Sequence, residues 1–359
     1  EFGEQVLAYG GDFGDRTTDY NFCGNGIVYA DRTPSAKAQE VKYLYQNLKI
    51  RPDEEGFWLK NDNLFAGTEG YRFVCEMKRN GEVCFRTEVN AKVSAQTTEH
   101  ILVSWPKREP GAEYALLVSA VLNGGTIWAE DGFEQAYGET VLGFVPAVRP
   151  VPSGTLKVVN GTGNIGAFGD HFSVLFSRKE GGIVSLKYDG EELVSRAPKP
   201  YYWRAATDND RGNGHPYRCG FWYTASLFQQ TADIRVEEQE NSLTVAYCYH
   251  LAPSSEAQTV ISYTVTADGA ISVRMMYSGA QNLPEMPMFG WRVKLPAEYD
   301  QVKWYGAGPE ECYIDRRNSA KLGIYQTTAE ENISGYIVPQ ECGNRTDVRW
   351  AEISDLHGK

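Results

Sequence analysis

The chain has 359 residues, 42% of them hydrophobic, enough for two or three domains with their own cores. Its 35 Lys and Arg against 47 Asp and Glu leave a net charge of −12, which repels a phosphate backbone and excludes nucleic acid as a natural partner. No apolar run approaches the ~18 residues of a membrane-spanning helix, so no membrane partner is expected.

The first 33 residues are dense in Gly, Asp and Asn: Tyr9-Gly10-Gly11-Asp12-Phe13-Gly14-Asp15, then Asn21-Phe22-Cys23-Gly24-Asn25-Gly26. Such residues supply turns, positive φ and oxygen ligands, as active-site loops need. A chain rarely opens on such a loop, so the loop is expected to complete a domain whose earlier part lies upstream. A helix is expected over Ser35 to Leu48, with Thr33 as cap and Pro34 in its first turn. Ala38, Val41, Leu44, Tyr45 and Leu48 recur there at helical spacing.

From Leu48 to Leu142 the text is strand-like. Tyr71 to Met77 alternates with period two, Asn80-Gly81 is a hairpin turn, and Glu82 to Val89 is the return strand. Ile101 to Trp105 and Tyr114 to Val121 are further strands. About seven strands in this stretch predict an immunoglobulin-like sandwich. Pro146, Pro150, Pro152 and Ser153-Gly154 mark a linker. A second, larger antiparallel sandwich follows, punctuated by Gly181-Gly182, Asp189-Gly190 and Asp268-Gly269. Val348 to Ile353 forms a last strand with no partner after it, as if the sandwich were truncated. The fold class is therefore mainly β. Aromatic residues make up 13% of the chain, and core packing accounts for them better than sugar platforms do.

Seven scattered cysteines without a CxxC pair argue against a zinc ribbon or redox motif and read as reduced thiols of a cytoplasmic protein. GxSxG and HExxH are absent, and the five histidines are isolated. Two carboxylate clusters stand out: Asp12, Asp15 and Asp19, and Asp208-Asn209-Asp210. Each could bind a cation or sugar hydroxyls, or could cap loop backbone as Asx-turns. Trp304 to Arg316 and Pro339 to Arg345 combine aromatic, acidic and Arg residues, as either a buried ion pair fixing a loop or a ligand-facing wall.

Gly10 to Pro34, Arg204 to Gly212, Trp304 to Arg316 and Tyr336 to Trp350, in this order, resemble the C-terminal part of the β-galactosidases of glycoside hydrolase family 2. The resemblance spans essentially the whole chain and implies a layout. Residues 1–44 are a remnant of the catalytic (β/α)8 barrel with its connecting helix, and 45–148 the immunoglobulin-like sandwich. Residues 149–155 are a linker, and 156–359 the large β-sandwich, or small-chain domain. The family hydrolyses terminal β-galactosides such as lactose with retention, using two Glu residues of the barrel. Both correspond to positions upstream, so no catalytic residue is assigned here and the chain alone is expected to be inactive. The family's principal magnesium site is upstream too. The resemblance implies that the Phe22 carbonyl and the Asn25 side chain help hold a sodium ion touching the galactosyl 6-hydroxyl. It also implies that Asp208, Asn209, Asp210 and Gly212 border the galactose pocket on a movable loop, with Gly214 beside it. A homo-oligomeric parent is implied as well. The alternative is a free-standing, non-catalytic carbohydrate-binding sandwich.

Overall fold

Seven strands follow one another between residues 48 and 142 in the computed structural model, which describes residues 7–24, 26–143, 152–252, 254 and 256–358. They are β1 (Leu48–Pro52), β2 (Gly56–Asn61), β3 (Tyr71–Arg79), β4 (Glu82–Val89), β5 (Thr98–Leu102), β6 (Tyr114–Leu122) and β7 (Glu134–Leu142). Alternating side chains of two antiparallel sheets, β1-β2-β5 and β4-β3-β6-β7, meet in one core. Leu48, Phe57 and Leu59 of the first sheet pack on Phe73, Val118 and Ala136 of the second. Full burial of each such large side chain contributes about 1.5–3 kcal/mol. Asn80 and Gly81 form the β3–β4 turn with φ of 50° and 90°, the primed geometry that matches strand twist.

β6 is buried at all nine positions because a further sheet covers its outer side. Ala115 packs there on Tyr305 and Leu322.

The second β-region carries β8 (Lys157–Asn160), β9 (Asn164–Phe168), β10 (Phe172–Ser177), β11 (Gly182–Tyr188), β12 (Glu191–Glu192) and β13 (Arg196–Tyr201). After three short helices come β14 (Gln229–Gln239), β15 (Ser242–Leu251), β16 (Gln258–Thr266), β17 (Ile271–Ser278) and β18 (Gly290–Lys294). The sheet β12-β11-β10-β9-β8 packs on β14-β15-β16-β17 through Val174, Phe176, Val245, Tyr247, Tyr249 and Tyr263. The tyrosine hydroxyls find partners inside: Tyr249 donates to Gly181 O at 2.6 Å and Tyr247 to Ser177 O at 3.2 Å. Aromatic residues here are core, as a satisfied hydroxyl permits.

The last strands are β19 (Gln301–Gly308), β20 (Lys321–Thr328) and β21 (Trp350–Ser354), ordered β20-β19-β21. The strand expected at Val348 to Ile353 thus has a partner, β19, paired from Gln301↔Ser354 to Tyr305↔Trp350. That partner precedes it by about fifty residues, beyond the reach of a local hairpin signal. The chain divides into two compact units, residues 1–147 with 300–359, and residues 148–299. The sequence groups 156–359 as one sandwich; by compactness, residues 300–359 cluster with residues 1–147. The expected linker begins within 144–151, which lie outside the described residues.

The single long helix near the start is α1 (Ala36–Tyr45). Its cap is Ser35, not Thr33: the Ser35 hydroxyl accepts from Lys37 N at 3.2 Å. It ends at Tyr45 rather than Leu48 because Leu48 opens β1 and pairs with Asn61. Before α1, the described residues hold a 3-10 turn, Tyr20–Cys23, and an isolated Val28↔Pro34 bridge, but no barrel strand. Residues 1–6 lie outside the described residues. A parallel barrel strand exists only through its neighbours' hydrogen bonds. Phe13 and Phe22 are each 80% exposed on this segment.

Candidate functional site

Phe22 sits on the 3-10 turn Tyr20–Cys23, its N–H donating to Asp19 O at 3.1 Å. Asn25, the second residue expected at the sodium position, lies outside the described residues. A main-chain carbonyl and a side-chain amide oxygen are hard, neutral donors, suited to a hard cation of low charge. The nearby carboxylates are used by the loop itself. Asp12 accepts from Tyr9 N at 3.0 Å and Asp15 from Gly11 N at 3.0 Å, so both serve turns. Among the described residues, no group of three or more His, Cys, Asp and Glu side chains could hold a metal ion.

In the second unit, Asp208, Asn209, Asp210 and Gly212 form not an open loop but a short helix, α2 (Asp208–Gly212). Thr207 and Asp210 make a reciprocal capping box: Asp210 N donates to Thr207 Oγ1 at 3.2 Å and Thr207 N to Asp210 Oδ2 at 2.9 Å. The Arg204 guanidinium clasps the same carboxylate, at 2.5 and 3.1 Å. Gly214, at φ +72°, leads into α3 (His215–Arg218), and α4 (Gly220–Leu227) follows. Burial raises the Asp210 carboxyl, but Arg204 and the Thr207 N–H outweigh it and bring the pKa down to about 2.

The sign of the pH effect follows. The folded value lies below the ordinary 3.8, so the contribution of Asp210 is full above pH 3.8 and is lost as pH falls through about 2. Asp210→Asn is expected to cost the second unit about 2 kcal/mol at neutral pH and nothing near pH 1. Urea unfolding at a series of pH values measures the difference; a pH-independent gap would contradict it.

The cluster Trp304 to Arg316 resolves in favour of the structural alternative. Glu311, its side chain 5% exposed, pairs with Arg316 and accepts from Gly343 N at 2.6 Å and Ser334 Oγ at 2.9 Å. Burial raises its carboxyl, and the Gly343, Ser334 and Arg316 donors more than reverse this, leaving it below the usual range. The fourth segment supplies Gly343 and, through Arg349, a two-pronged contact with Glu113 at 2.7 and 2.9 Å. Glu113 was not singled out by sequence: it lies far from Arg349 in the chain and carries no motif. Glu40 is similar. Buried on α1, it accepts from Ser319 N at 2.9 Å and Asn318 Nδ2 at 2.8 Å. Cys75 and Cys84 beside the β3–β4 turn are both free; Cys75 is buried, which pushes its thiol up to about 12, and Cys84 is exposed.

Family comparison orders these pieces. "Beta galactosidase small chain" matches residues 168–358, more than half of the chain, "Beta-galactosidase, domain 4" matches 57–143, and "Glycosyl hydrolases family 2, TIM barrel domain" matches 1–50. The chain belongs to the β-galactosidases of glycosyl hydrolase family 2. Within the family it is 43% identical over 365 residues to a β-galactosidase of Halalkalibacterium halodurans, covering 100% of this chain and 36% of that relative. It is 45% identical over 327 residues to one of Clostridium acetobutylicum, covering 91% of this chain and 36% of the relative. The Streptococcus thermophilus β-galactosidase is 37% identical, with 98% and 34% covered. The chain therefore spans about a third of the length of these relatives. The two expected site segments of the family, around Phe22 and Asp208–Gly212, fall in different compact units. No helix among the described residues is long and apolar enough to cross a membrane.

Proposed function

We propose that the chain is a C-terminal segment of a retaining β-galactosidase that hydrolyses terminal β-D-galactosides such as lactose. The observation that carries this is order. Barrel, domain 4 and small-chain matches succeed one another along the chain, as in a single enzyme. The nucleophile and the acid/base are barrel carboxylates outside these residues, so this chain supports the site rather than catalyses.

The Phe22 carbonyl and Asn25 side chain are the residues of this chain that would hold sodium. The ion would supply a fixed positive charge to orient a sugar hydroxyl. Magnesium belongs to the barrel upstream, and the complete enzyme works in the cytoplasm as a homo-oligomer. The short helix α2 (Asp208–Gly212) borders the galactose pocket, its start held by the Thr207–Asp210 capping box and the Arg204–Asp210 clasp.

The complete protein is expected to hydrolyse a chromogenic β-galactoside, and the isolated 359-residue chain is not. Asn25→Ala in the complete protein is expected to raise KM about tenfold and to blunt its response to sodium. Turnover by the isolated chain, abolished by a substitution within it, would refute the proposal. A saturable tryptophan-fluorescence response of the isolated chain to galactose would favour a free-standing binding module.

A further inference from the structure

Ile337 of the C-terminal segment and Lys37 of α1 back the two glycines that follow the Phe22 turn. Ile337 lies against Gly24, where an added side chain would stand 3.8 Å from Ile337 Cδ1. On the opposite flank, Gly26 is backed by the Lys37 ammonium, 3.4 Å from where a side chain would start. Gly26 takes φ +80°, and Ser35, only 3% exposed, donates to the carbonyls of Gly26 and Ile27 at 2.9 and 2.8 Å.

Lys37 is itself held. Its Nζ donates to Tyr336 Oη at 2.9 Å and lies 4.3 Å from the centre of that ring. The Tyr336 hydroxyl then donates to Glu311 Oε1 at 3.2 Å. An ammonium only donates and a carboxylate only accepts, so the hydroxyl between them has one orientation. Tyr29 closes the contact, edge-on to Tyr336 at 5.8 Å. All these residues belong to the first compact unit, so the grip is internal to it. The Lys37, Tyr336 and Ile337 side-chain contacts neither cap a helix nor pair a strand. Their geometric effect is to fix the backbone on both sides of position 25.

We propose that Lys37, Tyr336 and Ile337 are positioning residues for the Phe22 turn and the Gly24 and Gly26 that follow it, so that the C-terminal segment sets how tightly the galactosyl unit is held. This rests on the reading of that turn as a sugar and cation contact. The effect falls on binding and not on bond cleavage, because the reacting carboxylates lie elsewhere.

Hydrogen exchange of the turn and steady-state kinetics test this together. In this chain, Tyr336→Phe and Lys37→Met are expected to speed amide exchange over residues 21–27 about tenfold, with other peptides of the unit unchanged. Lys37→Arg, which keeps both the donor and the ring contact, is expected to exchange like the wild type. In the complete enzyme the first two variants are expected to raise KM about tenfold with kcat within about twofold, and Lys37→Arg to restore it. Unchanged exchange at 21–27, or faster exchange spread evenly over the whole unit, would overturn the positioning role. Asn25→Ala separates the two claims. If it leaves KM unchanged, the sugar-contact reading fails, while the exchange data still judge the grip. If it raises KM and the Tyr336 and Lys37 variants do not, the positioning role fails alone.

Discussion

Glu311→Ala is expected to destabilise the first unit by about 3–5 kcal/mol, because it leaves a partly buried guanidinium without its counter-ion. The Arg316 side chain is 15% exposed and the Glu311 side chain 5%, so water replaces little of what is lost. Four donors converge on this one carboxylate: Arg316, Ser334, Tyr336 and the Gly343 N–H. Three of them, on Ser334, Tyr336 and Gly343, lie on residues 334–343, so the carboxylate ties this irregular segment down where no strand does. Glu311→Gln keeps an acceptor and is expected to cost roughly half as much. Urea unfolding of the first unit measures both, and a loss for Glu311→Ala below about 1 kcal/mol would refute the argument. Acid has the same effect as the substitution. The folded carboxyl titrates below the ordinary 4.5, so its contribution is complete above pH 4.5 and disappears as pH falls through the folded value.

Trp222→Ala is expected to cost the second unit about 3–5 kcal/mol. The indole is 1% exposed and is the largest side chain in a core of Tyr202, Cys219, Ala225, Leu251 and Ala257. Its ring lies 4.8 Å from Phe221, 5.7 Å from Tyr202 and 5.8 Å from Tyr277, and its Nε1 donates to Pro284 O at 3.0 Å. Removal leaves a cavity and an unpaired carbonyl together. The second consequence is local. α2 and α3 are too short to be stable alone, and α4, which Trp222 anchors, follows them directly. Amide exchange over residues 207–219 is therefore expected to rise more than exchange in β15 and β16. Equal changes in both places would show that the helices do not depend on this anchor.

The expected elements that survive intact are those with local causes. Asn80-Gly81 specifies a turn through its own φ preferences, and Glu82–Val89 then runs back along β3 as its alternation requires. The errors have a common origin. α1 stops early because Leu48 gains a partner, Asn61, that no helical pattern encodes. In Asp208-Asn209-Asp210 the third residue closes the Thr207 capping box and is clasped by Arg204, partners that the carboxylate cluster alone does not name.

At the candidate site the legible part is Phe22 and its Gly-rich surroundings, because loop composition and family resemblance both reside in contiguous residues. The supporting grip is not legible. Lys37 is one of two lysines on α1, and Tyr336 one of 22 tyrosines. Their meeting joins positions 299 residues apart.

Composition, periodicity and turn chemistry by themselves determined the mainly-β class and the strand-rich first sandwich, and contiguous motifs carried the resemblance to the family, since each depends on neighbours along the chain. Only tertiary structure decided that β21 pairs with β19, that residues 300–359 join the first unit, and which carboxylates are buried hubs. The physical reason is that strand pairing and charge burial are satisfied by whichever groups folding brings within about 3 Å, and sequence separation does not enter that distance.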